Sequence, residues 1–241
     1  MIWNAVFAVL LALSIIAVIP LMLVVKIFKW TGNVAAIDAF AEKISRLWSK
    51  TILKLTGSKV IVTGADNIPA GEPVVFISNH QSYFDALIFL AYIPGQKSFI
   101  AKAETRKIPI ISSWMKYMHC IFMDRSSLKQ SFESIKIGIE NLKKGYSVVI
   151  FPEGTRSHKA EMSEFKHGSF KLATKAGVPI IPVTIKGTYK IWEEKKRIKP
   201  SQVQVIISKP IETSSLTRDE MKELPDKVHG IISCNLSNSV Q

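Results

Sequence analysis

The first 25 residues, Met1 to Val25, contain no charged side chain. This run limits the fold more than any other stretch, because an apolar segment of that length must be covered by lipid or by protein. About 20 apolar residues suffice to cross a bilayer's hydrocarbon core as a helix. Pro20 predicts a kink, which helices in lipid tolerate. A secretory signal peptide would need a basic region before the run and a small-residue cleavage site after it, and neither is present. A buried core helix is the remaining alternative. The first basic residues, Lys26 and Lys29, follow the run and predict that the rest of the chain lies on the cytoplasmic side.

The next segment, residues 34–55, has a different pattern. Ile37, Phe40, Ala41, Ile44, Leu47, Trp48, Thr51 and Leu55 recur at three- and four-residue steps, one face of a helix. Lys43, Arg46, Lys50 and Lys54 occupy another face. A basic, tryptophan-bearing amphipathic helix suits a membrane interface, and packing on a soluble domain is the alternative. The organisation expected is therefore an N-terminal membrane-associated helix pair, residues 1–57, followed by one folded domain, residues 58–241.

In that domain short apolar runs alternate with helical patterns. Strands are expected at 59–63, 73–77, 97–101, 120–123, 147–151, 178–183 and 202–208. Helices are expected at 86–92, 108–118, 128–142, 166–176 and 216–232. Alternation of this kind predicts an α/β sheet flanked by helices. Pro179 and Pro182 argue that the sixth strand cannot be an ordinary central ladder along its whole length.

Chemistry concentrates where strands end. Ser78-Asn79-His80-Gln81-Ser82-Tyr83-Phe84-Asp85 lies on a strand-to-helix turn, the edge where open α/β sheets bind ligands. Asp85 could hold the His80 ring in one tautomer, leaving the other ring nitrogen to take a proton from a hydroxyl. Lys102, Arg125 and Arg156 follow three other strands and together would suit a phosphate. In Glu153-Gly154-Thr155-Arg156, glycine permits close backbone approach and arginine can bind phosphate bidentately, with Glu153 orienting it or accepting from a hydroxyl. Taken singly, each of these cations reads as a solvated surface charge.

The chain has 32 Lys and Arg against 19 Asp and Glu, a formal net charge of +13, so it favours anionic surfaces or substrates. No aromatic-basic recognition module supports nucleic acid as partner. Cys120 and Cys234 lack metal-ligand spacing and read as reduced thiols. His119, His158, His167 and His229 form no metal-ligand pattern, His119 reading as a packed or partly exposed histidine and His158 and His167 as loop-rim residues. No G-x-S-x-G elbow, Walker A loop or G-x-G-x-x-G loop occurs.

These blocks resemble the glycerolipid acyltransferases. Asn79 to Asp85 matches their H-x4-D signature, and Phe151-Pro152-Glu153-Gly154-Thr155-Arg156-Ser157 their F-P-E-G-T-R-S block. Ile121 to Arg125 is similar to the block between the two, and Val178 to Val183 to the final V-P-I-I-P-V block. All four stand in family order, over roughly 59–208. The resemblance implies a mixed sheet flanked by helices, glycerol-3-phosphate acyltransferase-like. It implies transfer of an acyl chain to the sn-2 hydroxyl of 1-acyl-sn-glycerol-3-phosphate, giving phosphatidic acid, at the cytoplasmic face of the inner membrane. Acyl-CoA or acyl-carrier protein would be the co-substrate, with no other cofactor and no metal, and an anionic membrane the surface partner. His80 would be the general base and Asp85 its orienting partner. Lys102 and Arg156 would bind the phosphate, Glu153, Gly154 and Thr155 would line the acceptor site, and Arg125 would lie nearby. The family also has members whose N-terminal helix pair lies in one leaflet, which competes with a full span here. Another lysophospholipid or glycerol-3-phosphate acyltransferase, or a non-catalytic basic membrane-surface module, stays open as an alternative.

Overall fold

The structure is a computed structural model and describes residues 2–124 and 128–238. The uncharged run forms α1 (Ile2–Ala17) and α2 (Leu21–Trp30), broken at 18–20 beside Pro20. The stretch Ile2–Trp30 is long and apolar enough to cross a membrane. Both helices nevertheless touch the body of the protein. On α1, Asn4 reaches the main chain of Lys196 and Ile198, and the Ser14 hydroxyl accepts from Trp48 Nε1 at 3.1 Å. Phe7 is buried, while Val6, Val9, Leu13 and Ile16 are exposed on the outer side. On α2, Val25 is buried against the body and Leu23, Ile27 and Trp30 are exposed.

Helix α3 (Val34–Leu55) has the expected bounds, begun by the Asn33 side chain accepting from the Ala36 N–H at 3.0 Å. Its buried face differs from the expected one. The fully covered stripe is Ala41, Ser45, Ser49, Ile52 and Leu53, while Leu47 and Thr51 are exposed. Small residues at a four-residue spacing let α3 lie close along α4, so proximity rather than side-chain bulk selects the inward face.

The body is a seven-stranded sheet. Its strands are β1 (Lys59–Thr63), β2 (Val75–Ser78), β3 (Lys97–Lys102), β4 (Ile121–Met123), β5 (Ser147–Ile150), β6 (Ile180–Lys186) and β7 (Gln202–Ile207). The spatial order is β1-β7-β6-β2-β5-β3-β4, parallel except where β6 meets β7, so the sheet is mixed as the resemblance implied. Helices α4 (Phe84–Tyr92), α5 (Pro109–Tyr117), α6 (Leu128–Lys143), α7 (Lys171–Ala176) and α8 (Arg218–Ser237) complete the chain.

Strand alternation builds a core on each face. Phe76 and Val149 join Ile52, Leu53, Ile88 and Phe89 from α3 and α4. Their neighbours Val75, Ile77, Val148 and Ile150 join Leu142, Leu172, Leu224 and Val228 from α6, α7 and α8. Truncating a fully buried anchor such as Phe89 would cost about 3–5 kcal/mol.

Strand β6 is central despite Pro182, and the register explains why. It pairs with β7 from Val183↔Ile207, but its bridge further out is Ile180↔Ile211, a shift of one residue. The Ile180 N–H faces that side, donating to Ile211, so the missing N–H of Pro182 falls where the ladder is already interrupted. The carboxyl ends of β6, β2, β5, β3 and β4 then lie side by side along one edge.

Candidate active site

His80 and Asp85 flank the turn from β2 into α4. Asp85 is fully buried. Its Oδ2 accepts from His80 Nδ1 at 2.8 Å and from the main-chain N–H groups of Gln81 and Ser82 at 2.7 and 2.8 Å. Its Oδ1 accepts from the Thr188 hydroxyl at 2.5 Å. The carboxylate thus fixes the turn that precedes its helix, rather than capping the N–H groups beyond it. A carboxylate can only accept, so Nδ1 donates this bond, and in the neutral imidazole Nε2 presents a lone pair. The imidazole stacks on Phe151 with ring centroids 4.0 Å apart and 17° between planes, and one-fifth of the side chain is exposed. Its orientation is therefore set on one edge by Asp85 and on one face by Phe151.

The turn is bound to its neighbours on both sides. Asn79 exchanges two 2.8 Å hydrogen bonds with the main chain of Ile185 on β6. Gln81 accepts from the Gly187 N–H and donates to the Ala160 carbonyl, both at 3.0 Å. Gly187 has φ +96, and a Cβ there would stand 2.6 Å from the Gln202 carbonyl oxygen. Only glycine makes the turn that delivers Thr188 to Asp85.

The loop after β5 brings the second block to the same place. Glu153 is buried, and each carboxylate oxygen accepts a main-chain N–H, Oε1 from His80 at 2.6 Å and Oε2 from Ser163 at 2.8 Å. The Ser157 N–H returns a 2.8 Å bond to the His80 carbonyl. Burial raises the Glu153 pKa above its ordinary value, against the opposing effect of those N–H donors. Glu153 is not the carboxylate that orients Arg156, which pairs with Glu193. The Glu153 oxygens instead splice the loop to the His80 turn, because a buried carboxylate takes the nearest unpaired N–H groups. Gly154, with φ +77, gives the loop its reversal, and Thr155 is exposed beside it.

Arg156 is oriented by a residue that sequence reasoning passed over. Its Nη1 lies 3.3 Å from Glu193 Oε1, and its guanidinium carbon lies 3.4 Å from the centroid of the Tyr83 ring. Glu193 is buried and also accepts from the Ser82 hydroxyl at 2.8 Å and the Tyr83 N–H at 3.1 Å. Arg156, on the loop after β5, is therefore held against the turn that carries His80. Glu193 opens the run Glu193-Glu194-Lys195-Lys196-Arg197, which reads as solvated charge, so nothing local distinguished it. Thr188 could have been found by extending the last strand block past Lys186 to Gly187-Thr188.

Lys102 is exposed at the carboxyl end of β3, two strands from β2 on the same edge. Arg125 lies outside the described residues. Cys120 is partly buried, and desolvation pushes its thiol up to about 12, while Cys234 is exposed.

Residues 59–186 match the family model described as Acyltransferase. Over 85% of its length the chain is 35% identical to a chloroplastic 1-acyl-sn-glycerol-3-phosphate acyltransferase of Brassica napus, covering 60% of that protein. It is 31% identical to a probable 1-acyl-sn-glycerol-3-phosphate acyltransferase of Mycoplasma pneumoniae, over 80% of this chain and 76% of the other. It is 35% identical to the alpha form of that enzyme from Homo sapiens, over 77% and 66%. Among solved structures, a 1-acyl-sn-glycerophosphate acyltransferase of Thermotoga maritima superposes with a TM-score of 0.76 at 26% identity, covering 99% of this chain and all of that one.

Proposed function

The chain belongs to the acyltransferase family, and from that premise we propose that it transfers an acyl chain from a thioester to the sn-2 hydroxyl of 1-acyl-sn-glycerol-3-phosphate. The observation that carries this reading is that two loops, after β2 and after β5, bring both halves of the required chemistry together. His80, tethered to buried Asp85, leaves Nε2 open as a proton acceptor. Arg156, tethered through Glu193 to Ser82 and Tyr83, offers a cation for the phosphate.

In the reaction, Nε2 takes the acceptor hydroxyl proton as the oxygen attacks the thioester carbonyl. The tetrahedral intermediate collapses with expulsion of the thiolate, which recovers the proton. Phosphatidic acid and the free thiol of CoA or acyl-carrier protein result. The base contributes about 10²–10⁴-fold. Arg156 and, from two strands away, Lys102 bind the phosphate monoester, with Gly154 and Thr155 bordering it. No metal enters the scheme. The relatives' names support lysophosphatidic acid as the acceptor, and this chain spans about half to three-quarters of the length of the relatives it matches.

The acceptor is a lipid, so the site must work at a membrane. The exposed apolar residues of α1 and α2 support such a surface, with Ile2, Trp3, Val9, Leu13, Ile16, Leu23, Ile27 and Trp30 facing outward. Because Asn4 and Ser14, at opposite ends of α1, both touch the protein body, the contacts favour helices lying in one leaflet over a full span. The cations of an enzyme with net charge +13 favour an anionic, cytoplasm-facing surface.

The test is a transfer assay on vesicles, with acyl-CoA and acyl-carrier protein as donors against lysophosphatidate, lysophosphatidylcholine and glycerol-3-phosphate. Phosphatidic acid should be the preferred product. Equal or greater use of lysophosphatidylcholine would contradict a phosphate-monoester site. Vesicle binding without transfer to any acceptor would contradict catalysis itself.

A further inference from the structure

Arg156 is the side chain on which recognition of the acceptor phosphate rests in the reading above, and its placement depends on Glu193. We infer that Glu193 is a positioning residue: it holds one nitrogen of Arg156 against the Tyr83 ring, so that the remaining guanidinium edge meets a lysolipid phosphate monoester. The inference deepens the proposed function and depends on Arg156 being the phosphate ligand.

Glu193 is 5% exposed, and a buried carboxylate of this kind is tolerated when donors surround it. It has three: the Ser82 hydroxyl, the Tyr83 N–H and Arg156 Nη1. The guanidinium has five N–H donors in a fixed fork, and the contact with Oε1 occupies one nitrogen. The ring below restricts the plane of the fork, since a guanidinium carbon 3.4 Å from a ring centroid is stacked. Tyr83 is 67% exposed, so its ring is placed to serve what lies above it rather than the core. Arg156, with its side chain 20% exposed, is thus presented at the surface with its plane and one end fixed.

The connection reaches the base as well. Thr188 and Glu193 belong to one short segment after β6, Thr188 donating to Asp85 and Glu193 gripping Arg156. Ser82 is held by both carboxylates, its N–H by Asp85 and its hydroxyl by Glu193. The phosphate ligand and the base therefore share a frame, which sets the distance from phosphate to reacting hydroxyl.

The experiment measures kcat and both KM values for the full chain on vesicles, comparing wild type, Glu193→Gln, Arg156→Ala and the double variant. Glutamine keeps the size and one acceptor oxygen but removes the charge. Glu193→Gln should raise KM for lysophosphatidate about tenfold, the scale of one lost charge-assisted hydrogen bond. KM for the acyl donor should stay unchanged and kcat should stay within about threefold. In the Arg156→Ala background the same change should add nothing, since no guanidinium remains to position. Multiplying KM effects in the double variant would overturn the inference while leaving Arg156 as the phosphate ligand. So would a fall in kcat with KM for lysophosphatidate unmoved. If Arg156→Ala itself leaves that KM unchanged, both the phosphate reading and the inference fail. Should Glu193→Gln not fold, Tyr83→Leu tests the same cradle from its solvent side, with an expected rise of about two- to fivefold in the same KM and none in the donor's. No rise there would likewise overturn it.

Discussion

The molecule contains two histidine–aspartate pairs of nearly identical local geometry. His80 lies 2.8 Å from Asp85 and stacks on Phe151 at 4.0 Å and 17°. His119 lies 2.8 Å from Asp38 and stacks on Tyr146 at the same 4.0 Å and 17°. Their surroundings differ. His80 follows a strand at the carboxyl edge of the sheet, whereas His119 precedes β4 and Tyr146 precedes β5, at the amino edge. His80 is bonded through Nδ1, leaving its distal nitrogen open. His119 is bonded through Nε2, which commits that nitrogen to Asp38. Asp85 is fully buried and draws four donors from its own turn and from Thr188, while Asp38 is partly exposed and shares itself between His119 and the Tyr146 hydroxyl at 2.6 Å. The second pair fastens α3 to the loops before β4 and β5. A carboxylate and an imidazole in contact do not by themselves make an acid–base site; what sets His80 apart is its place at the carboxyl edge of the sheet, with Arg156 held against the same turn.

Replacing the two carboxylates should separate the pairs most clearly. Asp85→Asn substitutes an amide that can offer N–H to the ring and so favours the wrong tautomer. We expect kcat to fall by about 10²–10⁴-fold with KM for lysophosphatidate little changed. Asp38→Asn should leave kcat within a few-fold and instead lower the midpoint of thermal unfolding, by an amount equivalent to about 1–3 kcal/mol. Comparable losses of kcat in both variants would abolish the distinction.

Glu153→Gln comes next in size. An amide has one oxygen and cannot accept from both His80 and Ser163, so one partly buried N–H loses its partner, at about 1 kcal/mol. Activity should fall together with loop stability, read by proteolysis of residues 152–163. Loss of activity without loop loosening would indicate that Glu153 acts on substrate directly.

The smallest effect concerns Tyr146, whose hydroxyl is pushed up to about 12, first by burial and then by its bond to Asp38. Its neutral form is favoured by folding. Between about pH 10, where the unfolded tyrosine ionises, and about 12 the unfolded state holds fewer protons, so stability should fall as pH rises. Tyr146→Phe should flatten that part of the unfolding profile relative to wild type, at no cost to transfer. An unchanged slope would argue against the Asp38–Tyr146 bond.

The sequence disclosed what depends on periodicity and on local turns. The bounds of β1 and α3 and the His80–Asp85 turn could be read directly, because neighbouring residues determine them. What depends on contacts across the sheet was hidden. Glu193 is distant in sequence from Arg156 and stands in a run of charges. The inward face of α3 includes Ser45 and Ser49, which no hydrophobic pattern marks. Pro182 stands out in the sequence of a strand, but only the register shift against β7 shows how a central strand accommodates it.

The central claim is that His80 is the base. Its most direct test is single-turnover acyl transfer by His80→Ala on vesicles saturated with lysophosphatidate and acyl donor, beside His119→Ala. The account predicts that His80→Ala loses transfer by at least about 10²–10⁴-fold while still binding vesicles and unfolding near the wild-type temperature, and that His119→Ala transfers at close to the wild-type rate. Transfer by His80→Ala near the wild-type rate would contradict it.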